Sequence, residues 1–205
     1  MIQYDAYHCL FFMYTEETPN PLALKIVLGV APVDEGYHLF SSLGQVRGCQ
    51  VLEDILSLPG VDQVLLAPDF VTVTRSESVP WSLLESVLLS IFQHYLDQFP
   101  LDVPNISSGT QTIQDQWQDW VPETPEMKQL FDDVSVVIDE QVRPAIEGDG
   151  GMIDLCGIKD GIVYVRLQGA CSSCPHADET LKGGIQQSLC HYFPDDIKGV
   201  ETVDT

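Results

Sequence analysis

Apolar positions fall into two sets separated by a polar stretch. In the first set, HCLFFMY over 8–14 and ALKIVLGV over 23–30 flank Thr15-Glu16-Glu17-Thr18-Pro19-Asn20-Pro21, a cluster of turn formers. They predict two strands around a turn. Val51, Ile55 and Leu58 recur at helical spacing over 49–58, and Pro59-Gly60 supplies the stop. Two short strands are expected over 61–66 and 70–75, divided by Ala67-Pro68-Asp69. An amphipathic helix over 81–99 carries Leu84, Val87, Leu88, Ile91 and Tyr95 on one stripe. This set predicts a compact α+β domain over 1–100.

Residues 101–123 contain no basic residue, few aliphatics after Ile113, and clustered Ser, Thr, Gln, Asn and Pro. Such a segment cannot bury enough surface for a core, and it reads as a polar linker in which Trp117 and Trp120 are the exceptions. The second set then opens with Met127, Leu130, Phe131, Val134, Val137, Ile138, Val142 and Ile146, a helical period that stops at Gly148-Asp149-Gly150-Gly151. Strands over 152–158 and 161–168 are joined through Lys159-Asp160-Gly161 as a tight hairpin. A helix over 175–192, with Leu181, Ile185, Leu189 and Tyr192 on one face, and a last strand over 197–203 complete the order α-β-β-α-β. The fold class is therefore α+β, as two small α/β-layered domains, 1–100 and 124–205, joined by the linker.

Composition narrows the functions available. The chain has 205 residues, 44% hydrophobic and 20% charged, which suits a folded protein with modest cores. Its net charge of −22 is spread along the chain and opposes a phosphate backbone, so nucleic acid is not an expected partner. No run of about 18 uncharged apolar residues is present, so no membrane span is expected. The opening residues show neither a basic secretory leader nor an Arg-rich, acid-poor transit segment, which points to a cytosolic or already processed chain. Cysteines at 9, 49, 156, 171, 174 and 190 include one close pair, which is not a disulfide framework and fits a reducing compartment.

That pair is the candidate chemistry. Gly169-Ala170-Cys171-Ser172-Ser173-Cys174-Pro175 lies between a strand and a helix, so both sulfurs project from one turn. Pro175 suits a first helical turn, the helix N-terminus favours thiolate, and small neighbours leave room for an inorganic ligand. By spacing alone, the pair fits a dithiol redox couple, half of a zinc site, half of an iron–sulfur site, or two unreactive thiols. An antiparallel hairpin ahead of it disfavours the thioredoxin-like context, and zinc or a four-iron cluster needs four strong ligands. Cys9 and Cys49 read as structural thiols, Cys156 as a partly buried small side chain ahead of a ligand, and His176 as an inert first-turn residue ahead of a tuning or ligand role. Cys190 follows Cys174 along a helix that separates them by more than about 20 Å. Two chains, each offering Cys171 and Cys174, would complete a bridged, solvent-accessible cluster suited to transfer.

At these residues a family emerges. Val142-Arg143-Pro144, Asp149-Gly150-Gly151, the Cys171–Cys174 segment and Thr180-Leu181-Lys182-Gly183-Gly184-Ile185 resemble the C-terminal domain of the NifU-like (Nfu) iron–sulfur scaffold and carrier proteins. The Thr15–Pro21 segment with Leu24-Lys25, Gly60-Val61 and Pro68-Asp69-Phe70-Val71-Thr72-Val73-Thr74 is similar to the N-terminal domain of mitochondrial and α-proteobacterial members. The resemblance implies a non-enzymatic carrier that binds a 4Fe-4S cluster, or 2Fe-2S units, between two chains through Cys171 and Cys174. It also implies a cluster-bridged homodimer that receives its cargo from an upstream scaffold and passes it to apo-proteins such as lipoyl synthase, aconitase and respiratory-chain subunits. The compartment would be the bacterial cytoplasm or the mitochondrial matrix. One departure is His176, where the family usually has a small residue after Cys-Pro. The competing readings are a thiol–disulfide oxidoreductase using the same pair and an adaptor with structural zinc. In the first domain the Pro19-Asn20-Pro21 turn reads as a stabilised loop.

Overall fold

The computed structural model describes residues 13–102, 122, 124–171 and 177–203, the side chains of 177–180 excepted. The predicted strand residues 8–12, Cys9, most of the linker with Trp117 and Trp120, Cys174 and His176 lie outside the described residues.

The fold is α+β, with two sheets. β1 (Tyr14–Glu17), β2 (Ala23–Val27), β3 (His38–Phe40), β4 (Val61–Leu66) and β5 (Val71–Arg75) form an antiparallel sheet in the order β1-β2-β5-β4-β3. Two details depart from expectation. Thr15-Glu16-Glu17 pairs with Ile26-Lys25-Leu24 instead of turning, because an edge strand tolerates polar residues and Glu16 meets Lys25 at 3.1 Å. β3, only three residues long, carries too short a pattern to be legible.

One face of this sheet is closed by α1 (Gln50–Leu56) and α2 (Trp81–His94). Leu84, Leu88 and Phe92 of α2 meet Leu24, Ile26, Val64, Leu66, Val71 and Val73 in one core. Each buried side chain of that size contributes about 1.5–3 kcal/mol. The stripe differs from the predicted one: Val87 is 40% exposed, and the helix gives way to a 3₁₀ turn over Leu96–Gln98 before 99.

The second unit follows the expected order. α3 (Pro125–Val137) is capped by Thr124, whose Oγ1 accepts from Met127 N at 3.2 Å, with proline at the first turn. It continues through a π segment, Ile138–Val142, into α4 (Arg143–Gly148), so the single predicted helix is interrupted. Pro144 explains the interruption: it has no N–H to return to the preceding turn, and the ladder opens there. β6 (Gly151–Lys159) and β7 (Ile162–Gly169) form the hairpin, with Asp160 and Gly161 at φ 55° and 83°, as its two-residue turn requires. β8 (Gly199–Thr202) pairs with β7 in parallel, returned by α5 (Ala177–Tyr192). The core joins Val134, Ile138, Val142 and Ile146 to Ile153, Val163, Val165 and Leu167, with Ile185 and Leu189 of α5. Tyr192, expected on that face, is 50% exposed.

The remaining face of the first sheet is covered by the second sheet. Leu65, Ala67 and Phe70 bury together with Met152, and Tyr37 and Leu39 pack at their edge. Leu65, Thr72 and Lys25 stand in register across β4, β5 and β2. All three reach the second unit: Leu65 fills the space beside Gly169, Thr72 donates to Gly150 O at 2.7 Å, and Lys25 donates to Gly148 O at 3.2 Å. The last bond satisfies a carbonyl that the end of α4 leaves without a helical partner. No helix among the described residues is long and apolar enough to cross a membrane.

Candidate metal centre

Cys171 stands just past the end of β7, where the chain turns toward α5. Three glycines shape its seat. Gly151 and Gly169 pair directly as the first and last residues of the hairpin, and Ala170 N donates to Gly150 O at 3.1 Å. Gly150 at φ 76° and Gly169 at φ 66° occupy the left-handed region that favours glycine. A Cβ on Gly151 would run into Sγ of Cys171, so the sulfur lies over the bare backbone at the start of β6.

The space left by these small residues is used differently from the sequence expectation. In Gly169's Cβ direction stands Leu65 Cδ2 of the first sheet, at 2.5 Å from where that atom would be. Ala170 is 3% exposed, and its carbonyl accepts a hydrogen bond from Asn20 Nδ2 at 2.9 Å. Gly169 and Ala170 thus make room for the neighbouring unit. Cys171 itself is half-buried and packs against the second core. Beside it opens a largely apolar cavity of about 460 Å³, lined by Pro19, Asn20, Val142, Ile146, Cys171 and Ile185 among others. The π segment ahead of Pro144 places Val142 in this wall.

Cys174 and His176, the other sequence candidates here, lie outside the described residues. Among the described residues, no group of three or more His, Cys, Asp or Glu side chains is placed to hold a metal ion. Cys156 occupies the bulge where β6 slips between Leu155 and Gly157, and burial, opposed by the Arg166 charge, pushes its thiol up to about 11. Cys49 at the start of α1 is also raised by burial. Thiols that hold their protons are poor metal ligands at neutral pH. Cys190 turns to its own core, its S–H donating to Ile197 O at 3.5 Å.

Sequence reasoning missed Asn20 and Thr72, whose side chains donate to Ala170 O and Gly150 O beside this turn. A single sequence held one usable signal: Val64-Leu65-Leu66 is apolar on both faces, which is the pattern of a strand covered on both sides.

The chain has recognisable relatives. Residues 134–201 match the NifU-like domain, and residues 13–98 match the family described as scaffold protein Nfu/NifU N terminal. It is 34% identical over 193 residues to NifU-like protein 4, mitochondrial, of Arabidopsis thaliana, covering 93% of this chain and 65% of that one. It is 31% identical over 200 residues to the NFU1 iron-sulfur cluster scaffold homolog, mitochondrial, of Homo sapiens, covering 96% of this chain and 74% of that one. The chain thus spans about two thirds of the length of the curated relatives it matches.

Proposed function

Because the chain belongs to the NifU-like (Nfu) family, we propose that it is an iron–sulfur cluster scaffold and carrier whose cargo is held by Cys171 and Cys174. The observation that carries this reading is the seat of Cys171. Its sulfur is held at a sheet end, over a glycine, beside a cavity, while the thiols of Cys49 and Cys156 are buried and raised.

Two thiolates from one chain are half the ligand set of a four-iron cluster. A second copy supplying the same pair completes it, with the two chains related by a two-fold axis. Transfer is then ligand exchange without net redox change. A thiolate of the recipient binds iron as the Cys171 thiolate leaves it, and the proton shed by the recipient's thiol ends on the departing sulfur or in water. The chain's own part is to present the sulfurs at an accessible turn. On this reading it turns over no substrate of its own, draws from an upstream scaffold and serves apo iron–sulfur proteins. Its mitochondrial relatives favour the mitochondrial compartment over the bacterial cytoplasm. The division into a domain over 1–100, a linker over 101–123 and a cluster-binding domain over 124–205 belongs to the same proposal.

Anaerobic loading with iron and sulfide, with both quantified per chain and the mass measured in solution, tests it. The expected result is a brown dimer carrying roughly two iron and two sulfide per chain. Both should be lost in Cys171→Ala and in Cys174→Ala. A chain that stays colourless, or one that instead holds zinc, overturns the reading.

A further inference from the structure

Two buried side chains of the first unit donate to backbone carbonyls beside the Cys171 turn. Asn20 is 2% exposed; its Nδ2 donates to Ala170 O at 2.9 Å, while its Oδ1 accepts from Leu22 N at 2.9 Å. The loop is held from within as well, because Thr18 Oγ1 donates to Asn20 O at 2.8 Å and to Ala23 O at 3.0 Å. Thr72, fully buried in β5, donates to Gly150 O, the same carbonyl that takes Ala170 N. Leu65, opposite Thr72 in the register, fills the gap at Gly169. The bonds from Asn20 and Thr72 meet Ala170, the residue before Cys171, and Gly150, the residue before the glycine beneath its sulfur.

We infer that the first unit clamps the cysteine turn, with Asn20 and Thr72 as positioning residues that fix Ala170 and Gly150 and, through them, the seat of Cys171. The inference deepens the carrier reading and rests on it for its consequence: cargo is retained while the two units are docked and is released faster when the clamp opens. The physical ground is that both donors and both acceptors are desolvated. Opening the interface hydrates them together, whereas removing one donor leaves its carbonyl short of a partner and weakens the closed state. Thr72 and Gly150 also interlock sterically, since a Cβ on Gly150 would lie 3.0 Å from Thr72 Oγ1.

The test uses the full chain and two readouts: hydrogen exchange of the Ala170 amide in the metal-free protein, and the rate at which a chelator strips the loaded cluster. Thr72→Val keeps volume and branching in a β-strand and deletes the donor, while Thr72→Ser restores it. Asn20→Asp keeps the acceptor for Leu22 N–H and loses the donor pair. Thr72→Val and Asn20→Asp are expected to speed Ala170 exchange and cluster loss by about fivefold to tenfold, the weight of one buried hydrogen bond. Thr72→Ser should return both to within about twofold of the parent, since it restores that bond. Parental rates in Thr72→Val with an intact first-unit core, or a Thr72→Ser as fast as Thr72→Val, overturn the clamp. Should Thr72→Val disturb the strand, Asn20→Asp decides the matter from the loop. A parent chain that takes up no cluster would remove the carrier reading, and Ala170 exchange would still decide the clamp.

Discussion

Sγ of Cys171 rests over Cα of Gly151, where any side chain would displace it; a Cβ there would also come within 3.2 Å of Cys171 Cβ and of Gln168 O. The glycine that opens β6 is therefore part of the cysteine's seat. In Gly151→Ala either the sulfur swings off its position or the hairpin end shifts. Crowding of this kind costs about 1–3 kcal/mol, and cluster retention should fall by about tenfold or more while the α+β fold persists. Iron content against far-ultraviolet circular dichroism separates the two effects, and a Gly151→Ala chain with parental iron would show that the seat does not matter.

Gly183 in α5 provides the opposite case. A Cβ there meets nothing within 4 Å, and its backbone is helical. Gly183→Ala should stabilise the chain by about 0.5–1 kcal/mol through helix propensity and a less mobile unfolded chain. Urea unfolding would read this as a higher midpoint at unchanged slope.

Gly169→Ala should destabilise the docked units for two separable reasons. Its φ of 66° disfavours a Cβ, and that Cβ would press on Leu65 Cδ2 and on Gly150 O. Leu65→Ala relieves only the first of those two contacts. In a double-mutant cycle the pair should therefore be less damaging than the sum of the singles, by about 0.5–3 kcal/mol. Strict additivity in urea unfolding would mean that Leu65 and Gly169 do not press on each other.

Alkali should act through Tyr37. Burial first, then its hydrogen bond to Glu147, pushes the phenol from 10.0 up to about 12, with the Arg143 guanidinium near its ring pulling the other way. A folded value above the unfolded one stabilises fully below pH 10 and is lost as pH rises toward 12. Tyr37→Phe should remove a late step from the ultraviolet tyrosinate titration and flatten the alkaline loss of stability. A late step that survives the substitution would assign it to another phenol.

Cys156→Ala and Cys190→Ala should load the same iron as the parent, since one thiol is raised to about 11 and the other bonds Ile197 O. Mass mapping of alkylated peptides should find Cys156 slow at neutral pH and faster as pH approaches 11. Iron loss in either variant would add that residue to the ligand set.

Much of the fold was legible because local rules agreed with it. The period from Met127 to Ile146 announced a helix, Lys159-Asp160-Gly161 a hairpin, and residues 70–75 a strand. What failed did so for identifiable reasons. Thr15-Glu16-Glu17 has the composition of a turn and becomes a strand only because Ala23–Val27 offers it an edge. Val87 and Tyr192 keep helical spacing with their neighbours yet point outward, since the sheets cover a narrower stripe than the apolar pattern provides. Asn20 between two prolines looks the same whether the loop faces water or another layer.

The order of elements in the second unit and the identity of the cysteine turn were set by short-range chemistry: periodicity, turn residues and two sulfurs spaced for one ligand. Tertiary structure alone decided that the second face of the first sheet buries against the hairpin carrying Cys171. Hence Gly169 makes room for Leu65, and the carbonyls of Ala170 and Gly150 find donors in Asn20 and Thr72. Those partners are separated from the turn by 78 to 150 positions in the chain. Only packing joins them, because contact between two layers depends on shape and on buried donors that leave no periodic trace in either segment.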